Sequence, residues 1–362
     1  MHHWIDRPDA LDAWLAARAD ATVIGLDTEF LRTNTFRPRL ALVQLDIGGD
    51  VALLDAPRLG AMPALAARLA DAACVCVMHG AGEDLEALAG VLPRGPATLF
   101  DTQLAAAFAG VGFGLSYQRL VAAVLGIELP KSETRSDWLA RPLSAAQLDY
   151  AAQDVAHLPE LHARLAQRLA ELGRSAWLAE DCRRLVARVC EAQPDPQPQR
   201  ALRAAARFAP EQQARLRRVL RWRDTKARVL DKPRPWILDD ARALNLVADP
   251  PQDEDELAER CRGLRALRGA LRQELFAVLH APLAADERDV MPIPAPLTGA
   301  QLTKLAALRN EVAAIAARLA LPESLLCPRR HLETLVAEGR WPAALEGWRK
   351  ELLYEVLMGA EG

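Results

Sequence analysis

Apolar positions alternate with other residues in several short runs before residue 60, a spacing that is typical of β-strands. The run ATVIGLDTEF (21–30) carries two β-branched residues and ends among acids, and RLALVQLDI (39–47) alternates cleanly. A GGD turn then leads into VALLD (51–55). Because short turns join neighbouring strands, we predict that these three runs form an antiparallel meander.

Strand and helix patterns alternate in the next part of the chain. CVCVMHG (74–80) predicts a buried strand, and GEDLEALAGVL (82–92) predicts a helix. TLFDTQLAAAFA (98–109) predicts a short strand followed by a helix that Asp101 or Thr102 caps. Strands that come first and then alternate with helices indicate an α/β domain with a mixed sheet.

Helical spacing dominates the chain beyond this point. One predicted helix ends at Gly126, a residue type that favours the left-handed backbone after a helix. A long helix is predicted over residues 143–173, where Ser144 and Gln147 have the spacing of a capping box. We expect Pro159 to bend this helix, because proline lacks the backbone N–H of a helix interior.

Two proline-rich segments interrupt the helical patterns. AQPDPQPQ (192–199) has three prolines, and APLAADERDVMPIPAP (281–296) has four. Such segments are typical of linkers. The predicted division is therefore an α/β domain at 1–193, a linker at 194–208, a helical domain at 209–285, a linker at 286–297 and a second helical domain at 298–362.

Charge is unevenly distributed along the chain, although the net charge is only −3. Residues 200–250 contain 13 arginines and lysines against 6 aspartates and glutamates. This basic segment favours a polyanionic partner. The alternative is a solvated helix face without a ligand, and charge alone does not separate the two.

Several classes of protein are disfavoured by the sequence. The six cysteines include no C-x-x-C pair, which disfavours a zinc knuckle, and their number fits a reducing cytoplasm better than a disulfide scaffold. The N-terminal residues lack the apolar core of a signal peptide, and no run approaches about 18 uncharged apolar residues, so we expect no membrane association. The P-loop sequence G-x-x-x-x-G-K-[ST] does not occur, which disfavours a P-loop ATPase or helicase. We expect a monomer.

Acidic residues at the end of the first predicted strand suggest metal chemistry. Asp27 and Glu29 lie two residues apart, so in a strand they share one face, where each carboxylate raises the pKa of the other. A divalent cation relieves this repulsion, and Mg²⁺ or Mn²⁺ prefers such oxygen ligands. The alternative is a pair of solvated carboxylates, since D-x-E is a common pattern.

Further acids follow at two later positions. Asp84 lies in the first turn of a predicted helix, where it either joins the first two acids or only stabilises the helix dipole. Tyr150 and Asp154 are spaced i and i+4 on one helix face, where the alternative is a tyrosine packed beneath an ordinary acid. Together the four carboxylates fit a site for two divalent ions that clamp a phosphodiester during hydrolysis.

Three motifs around these acids resemble those of a known superfamily. LDTEF (26–30), HGAGEDL (79–85) and YAAQD (150–154) are similar to the three exonuclease motifs of the DEDD superfamily, in its tyrosine branch. The segments between them resemble the bacterial ribonuclease D family over residues 22–160. The helical blocks are similar to HRDC domains, most clearly in RWRDTKARVLDKPRPWILDD (221–240). One departure is HGAGEDL itself, where an Ala-Gly-Ser-like run before the acid is expected.

The resemblance implies a fold and an activity. The fold would be a ribonuclease H-like α/β exonuclease domain with a mixed sheet, followed by all-α HRDC-like domains. The activity would be a 3′-5′ exoribonuclease that uses two Mg²⁺ or Mn²⁺ ions, releases 5′-mononucleotides and matures the 3′ ends of transfer RNA and other small structured RNAs.

The resemblance also implies roles for individual residues. Asp27, Glu29 and Asp154 would bind the metal that activates water, and Asp27 would bridge to a second metal that Asp84 assists. Tyr150 would orient the attacking water. The residues that it implies near the substrate are Thr28 and Phe30 along the terminal nucleotide, and His79 and Arg135 near the scissile phosphate.

The sequence leaves two other functions open. Carboxylate-bound metals contact phosphate rather than the 2′-hydroxyl, so single-stranded DNA is an alternative substrate. A non-catalytic RNA-binding protein with a degenerate nuclease core is the second alternative, although all five expected residues are present.

Overall fold

The computed structural model describes residues 2–130, 136–191 and 193–359. Its first part is built on one sheet of six strands in the order β1-β4-β3-β2-β5-β6. The strands are β1 (His2–Ile5), β2 (Val23–Leu31), β3 (Arg39–Ile47), β4 (Asp50–Asp55), β5 (Val75–Met78) and β6 (Thr98–Asp101).

Strand pairing confirms the predicted mixed sheet. β2 pairs antiparallel with β3, and β3 pairs antiparallel with β4, which is the predicted meander. β2 also pairs in parallel with β5, and β5 with β6. β1, which the sequence pattern did not predict, adds in parallel to β4 at the edge of the sheet. β2 therefore lies inside the sheet between two partners.

Nine helices accompany the sheet in the described part of residues 2–191. They are α1 (Pro8–Ala16), α2 (Ala56–Leu59), α3 (Pro63–Leu69), α4 (Gly82–Ala87), α5 (Thr102–Phe108), α6 (Tyr117–Leu125), α7 (Ala145–Ala156), α8 (Leu158–Glu171) and α9 (Ser175–Cys190). Asp101 caps α5 by accepting the amides of Gln103 and Leu104, and Gly126 ends α6 in the left-handed conformation. These two caps confirm the sequence predictions.

The predicted single helix over residues 143–173 is wrong. Two helices, α7 and α8, meet at His157, whose φ of −111° and ψ of 0° are not helical. Pro159 lies in the first turn of α8, where proline loses no helical hydrogen bond, so it begins a helix instead of bending one. The capping box of Ser144 and Gln147 at the start of α7 is confirmed.

The remaining chain is helical. Its helices are α10 (Pro210–Leu230), α11 (Arg234–Ile237), α12 (Asp240–Ala248), α13 (Glu254–Arg260), α14 (Ala270–His280), α15 (Ala285–Arg288), α16 (Gly299–Leu319), α17 (Glu323–Leu326), α18 (Arg329–Glu338) and α19 (Trp348–Met358). None of the helices in the described ranges is both long and apolar enough to cross a membrane.

The two groups of helices pack differently. Buried residues of α10 to α14 form a hydrophobic core of their own, which we call the middle helical unit (residues 205–293). Buried residues of α16 to α19, the C-terminal helical unit (residues 298–358), instead belong to the same core as the sheet. The C-terminal unit is therefore continuous with the α/β domain, although it is distant from it in sequence.

A buried ion pair joins the C-terminal unit to α9. The Arg349 guanidinium donates to both carboxylate oxygens of Asp181, at 2.6 and 2.7 Å, and the Trp348 indole donates to the same carboxylate at 3.1 Å. The Trp348 ring stacks on Trp177 with ring centroids 4.8 Å apart. Both charged groups are buried, so each depends on the other to compensate its charge.

The middle helical unit contacts the α/β domain through the loop that follows β2. The backbone amides of Phe36 and Arg37 both donate to the Asp231 carboxylate, at 3.0 and 3.1 Å. The guanidinium groups of Arg228 and Arg234 lie over the Phe36 ring, 4.9 and 4.8 Å from its centroid. This contact places the middle unit next to the strand that carries Asp27 and Glu29.

We predict that Arg349→Ala lowers the free energy of unfolding by about 3–5 kcal/mol, because it leaves the Asp181 carboxylate buried without its partner. Urea unfolding followed by tryptophan fluorescence measures this change. Arg183→Ala, at an exposed position of the same helix as Asp181, is the matched control and should change stability little.

The double variant Arg349→Met/Asp181→Leu should recover part of the loss, because a hydrophobic pair of similar volume needs no charge compensation, although the Trp348 indole loses its acceptor. If the double variant is less stable than Arg349→Ala, the ion pair is not the source of the effect.

Candidate active site

Three carboxylates from two elements converge over the middle of the sheet. Asp27 and Glu29 lie on β2 and Asp154 lies on α7, and one oxygen of each falls within 4.8 Å of the other two. The register pairs Asp27 with Gln44 and Glu29 with Leu42 on β3, and it shifts between Glu29 and Phe30. The strand therefore keeps both acids on one face up to the point where its pairing becomes irregular.

Asp84 lies beside this group and is held by its own hydrogen bond. It lies in the first turn of α4, after β5, and its carboxylate accepts a hydrogen bond of 2.5 Å from the buried Thr28 hydroxyl. Asp84 is not among the three converging carboxylates, but it is one of the charges that raise the pKa of Asp27. The structure thus brings all four predicted acids to one site, with Asp84 set apart from the others.

Burial raises the pKa of every acid in the site, and repulsion from the neighbouring site acids adds to it for Asp27 and Glu29. Burial is the largest cause for Asp27, and the charges of Asp84, Asp154 and Glu29 add to it. Burial, then Asp154 and Asp84, raise the pKa of Glu29 to about 8.

The other two acids are partly relieved by hydrogen bonds. Burial raises the pKa of Asp154 to about 7, against a hydrogen bond from Tyr150 that lowers it. Burial likewise raises the pKa of Asp84 to about 6, against the hydrogen bond from Thr28. A group of acids that resists ionisation to this extent fits the binding of divalent cations, whose charge removes the repulsion.

Tyr150 lies one turn before Asp154 on α7. Its half-buried ring is tilted against Trp138, with ring centroids 5.9 Å apart. Burial and the neighbouring charge of Asp154 raise the pKa of its hydroxyl, which therefore stays protonated at neutral pH. In this position Tyr150 can donate or accept a hydrogen bond, but it does not serve as a base.

The structure describes two of the three residues Thr28, Phe30 and Arg135, which were predicted to contact the substrate. Phe30 is half-buried on β2, directly after Glu29. The Thr28 hydroxyl is used by Asp84, which leaves its backbone for other contacts. Arg135 lies outside the described residues.

His79 is bound from both sides by the protein. Its Nδ1 lies 2.9 Å from the Thr102 hydroxyl and its Nε2 lies 3.0 Å from the Leu115 carbonyl oxygen. Burial lowers the pKa of this imidazole, which favours its neutral form. Because both ring nitrogens have partners, His79 orients the residues around it and has no free nitrogen for a phosphate in this structure.

Tyr117 is a site residue that the sequence analysis missed. Its hydroxyl donates to the Gln153 carbonyl at 3.2 Å and accepts the His157 amide at 3.1 Å, on either side of Asp154. It therefore fixes the end of α7 that carries the acid. No local signal singles it out, because the bond joins residues about 40 positions apart in the chain.

We predict that the metal-free protein becomes less stable as the pH rises from about 5 to about 8. The pKa values of Glu29 and Asp154 are raised in the folded state, so their contribution to stability is full below the unfolded values near 4 and is lost as the pH passes about 7 and 8. Thermal unfolding in EDTA at several pH values measures this loss.

Asp154→Asn should reduce this pH dependence and raise the melting temperature at about pH 8 by roughly 2–5 °C, because it removes one of the repelling charges. Asp149→Asn, at an exposed position on the same helix, is the control that should behave as wild type. An unchanged pH profile in Asp154→Asn would show that the acids are not coupled.

The chain is similar to known exonucleases. A family model described as 3′-5′ exonuclease matches residues 2–170. The chain is 45% identical to Ribonuclease D of Xanthomonas oryzae pv. oryzae over 99% of this chain and 98% of that protein. It is 36% identical to Ribonuclease D of Pseudomonas paraeruginosa, over 93% of this chain and 91% of that protein.

The crystal structure of Escherichia coli RNase D, an exoribonuclease involved in structured RNA processing, superimposes with a TM-score of 0.86 at 28% identity. The match covers 99% of this chain and 98% of that one, so it includes both helical units as well as the sheet. With four acids and a tyrosine gathered at one site and similarity along its whole length, the chain belongs to the ribonuclease D family of 3′-5′ exonucleases.

Proposed function

We propose that this protein is an exoribonuclease that hydrolyses RNA from the 3′ end and releases 5′-mononucleotides. The observation that carries the proposal is the convergence of Asp27, Glu29 and Asp154 within 4.8 Å. Three ionisable groups so close together serve no packing purpose, since each loses hydration and repels the others. The RNA substrate follows from the similarity to the ribonuclease D proteins.

We propose two divalent ions, Mg²⁺ or Mn²⁺, as the cofactors. Asp27, Glu29 and Asp154 would bind one ion, and Asp27 would also bind the second, which Asp84 would assist mainly through water. Bound there, the ions would supply Lewis-acid stabilisation for charge that develops on the phosphate oxygens. The hydrogen bond from Thr28 keeps the Asp84 carboxylate oriented beside Asp27.

The protein groups around the acids would prepare the attack of water. Tyr150, protonated and next to Asp154, would hydrogen-bond the attacking water and orient it toward the terminal phosphodiester. Tyr117 and its bonds to the backbone on both sides of Asp154 would limit the movement of that acid. Thr28, through its backbone, and Phe30, through its ring, would lie along the terminal nucleotide, with Arg135 near the scissile phosphate.

We propose that two HRDC-like domains, at 209–285 and 298–362, bind the RNA outside the exonuclease domain at 1–193. The linkers before them would be residues 194–208 and 286–297. Most basic residues of α10 are paired with carboxylates or bonded to backbone carbonyls, but Arg221 is exposed and has no carboxylate partner among the described residues. A cation of this kind supports the role, since phosphate contacts position a substrate without reading its sequence. The natural substrates would be 3′ ends of transfer RNA precursors and other small structured RNAs.

We further propose that the protein is a monomer and that it is located in the cytoplasm. The six free cysteines support the cytoplasmic location, because thiols stay reduced there.

We predict that Asp27→Asn reduces hydrolysis of a 3′-tailed RNA about a thousandfold or more, which corresponds to roughly 4 kcal/mol of transition-state stabilisation. A gel assay with Mg²⁺ or Mn²⁺ measures the rate, and a DNA strand of the same sequence tests the choice of sugar. Equal rates for Asp27→Asn and wild type would contradict the proposed site. Faster hydrolysis of the DNA would contradict the proposed substrate.

Tyr150→Phe should lower kcat by roughly a hundredfold while the affinity for Mn²⁺ changes little, because the hydroxyl orients water and is not a metal ligand. Calorimetric titration with Mn²⁺ and single-turnover kinetics separate these two effects. Tyr354→Phe, at an exposed tyrosine of α19, is the matched control. A loss of Mn²⁺ affinity in Tyr150→Phe as large as the loss of rate would contradict this role.

A further inference from the structure

A second concave surface lies away from the carboxylates, between the α/β domain and the C-terminal helical unit. This cleft has a volume of about 530 Å³. Its charged lining residues are four arginines and one aspartate, namely Arg184, Arg188, Arg330, Arg349 and Asp181. We refer to it as the arginine cleft.

The hydrogen bonds of the arginine cleft determine which charges face solvent. Asp181 is neutralised by its bidentate bond to Arg349, so the acid adds no free negative charge. Arg184 donates to the carbonyl oxygens of Ala344 and Glu346 and pairs with the carboxylate of Glu180. These three lining residues are therefore structural.

Arg188 and Arg330 remain available. Both side chains belong to exposed residues, one on α9 and one on α18, so they approach the cleft from its two walls. Within the described residues neither guanidinium has a carboxylate partner, whereas most arginines near them do. Two unpaired guanidinium groups across a cleft attract an anion with phosphate-like oxygens.

An aromatic ring lies at the same cleft. Phe113 lines it and is 55% exposed, the second-largest exposure among the large hydrophobic side chains of the described chain. An exposed ring next to cations is typical of surfaces that bind single-stranded nucleic acid, where bases stack on aromatic faces and cations contact phosphates. A phosphate ion alone would leave this ring without a partner.

The cleft is connected to the active site by a short segment of chain. Phe113 lies two residues before Leu115, whose carbonyl oxygen lies 3.0 Å from His79 Nε2 and accepts a hydrogen bond of 2.9 Å from the Gln103 side-chain amide. Four residues after Phe113, the Tyr117 hydroxyl bonds to the backbone on both sides of Asp154. Four residues span at most roughly 14 Å, so the Phe113 ring of the cleft lies close to the end of the helix that carries Asp154.

The geometry points to the arginine cleft as a binding site for the phosphodiester backbone of single-stranded RNA, a few nucleotides on the 5′ side of the end that is cleaved. Arg188 and Arg330 bind phosphates, and Phe113 stacks on a base. This inference rests on the proposed RNA substrate. The four acids and Tyr150 are not among the residues that line the cleft, so the cleft sets the affinity for longer RNA and leaves the chemical step unchanged.

The test compares the double variant Arg188→Ala/Arg330→Ala with wild type on a dinucleotide and on a single strand of about 16 nucleotides. We expect KM for the longer RNA to rise roughly tenfold with kcat unchanged, and no change for the dinucleotide. Phe113→Ala should raise the same KM by a smaller factor. Binding of the longer RNA to the double variant should also lose about 1.4 from the slope of log affinity against log salt, for two phosphate contacts.

Arg164→Ala, which removes an exposed arginine of α8 that lies outside the cleft, is the matched control and should change KM little. An unchanged KM for the longer RNA in the double variant, or an equal loss on both substrates, would overturn the inference while hydrolysis of RNA by wild type still supports the proposed function. Failure of wild type to hydrolyse either RNA would instead overturn the proposed function. Circular dichroism verifies that the variants are folded.

Discussion

Repulsion among buried carboxylates is the constraint around which this protein is organised. Asp27, Glu29 and Asp154 are held within 4.8 Å of one another, although burial raises the pKa of each and the charges of their neighbours raise the pKa of Asp27 and Glu29 further. A flexible chain would separate these groups. They stay together because β2 is paired on both sides within the sheet and α7 packs across it. The stability of the sheet thus maintains a site that is unfavourable without a cation.

Each acid outside the strand has a partner that limits its movement. Thr28 fixes Asp84, Tyr150 donates to Asp154, and Tyr117 binds the backbone around Asp154. These bonds oppose the rise in pKa only partly, so the acids keep a strong preference for a cation. Preorganisation of this kind suits metal-assisted hydrolysis, because the ligands do not have to be assembled when substrate binds.

The two helical units relate to this site in different ways. The C-terminal unit shares the hydrophobic core of the sheet, and its buried Arg349 completes the hydrogen bonds of Asp181. The middle unit has a separate core and meets the α/β domain at the loop after β2, through Asp231. One unit is therefore an extension of the catalytic domain. The other is a separate body whose contact lies next to the catalytic strand.

Local pattern in the sequence determined much of this structure. The alternation of apolar residues predicted the meander, and the residue types at Asp101, Gly126 and Ser144 predicted the helix caps, because these features depend on neighbours in the chain. The motifs around the acids also identified the candidate site, which the structure brings together.

Only the tertiary structure decided the features that depend on distant contacts. β1 has no alternation of its own and becomes a strand because β4 offers it a free edge. The division between α7 and α8 at His157 coincides with the bond from its amide to Tyr117, 40 residues away. Three further features likewise depend on residues that are far apart in sequence. They are the position of Asp84 beside the other acids, the core that the C-terminal unit shares with the sheet, and the arginine cleft. Periodicity and spacing report on a single element, whereas the position of one element against another depends on how their surfaces pack.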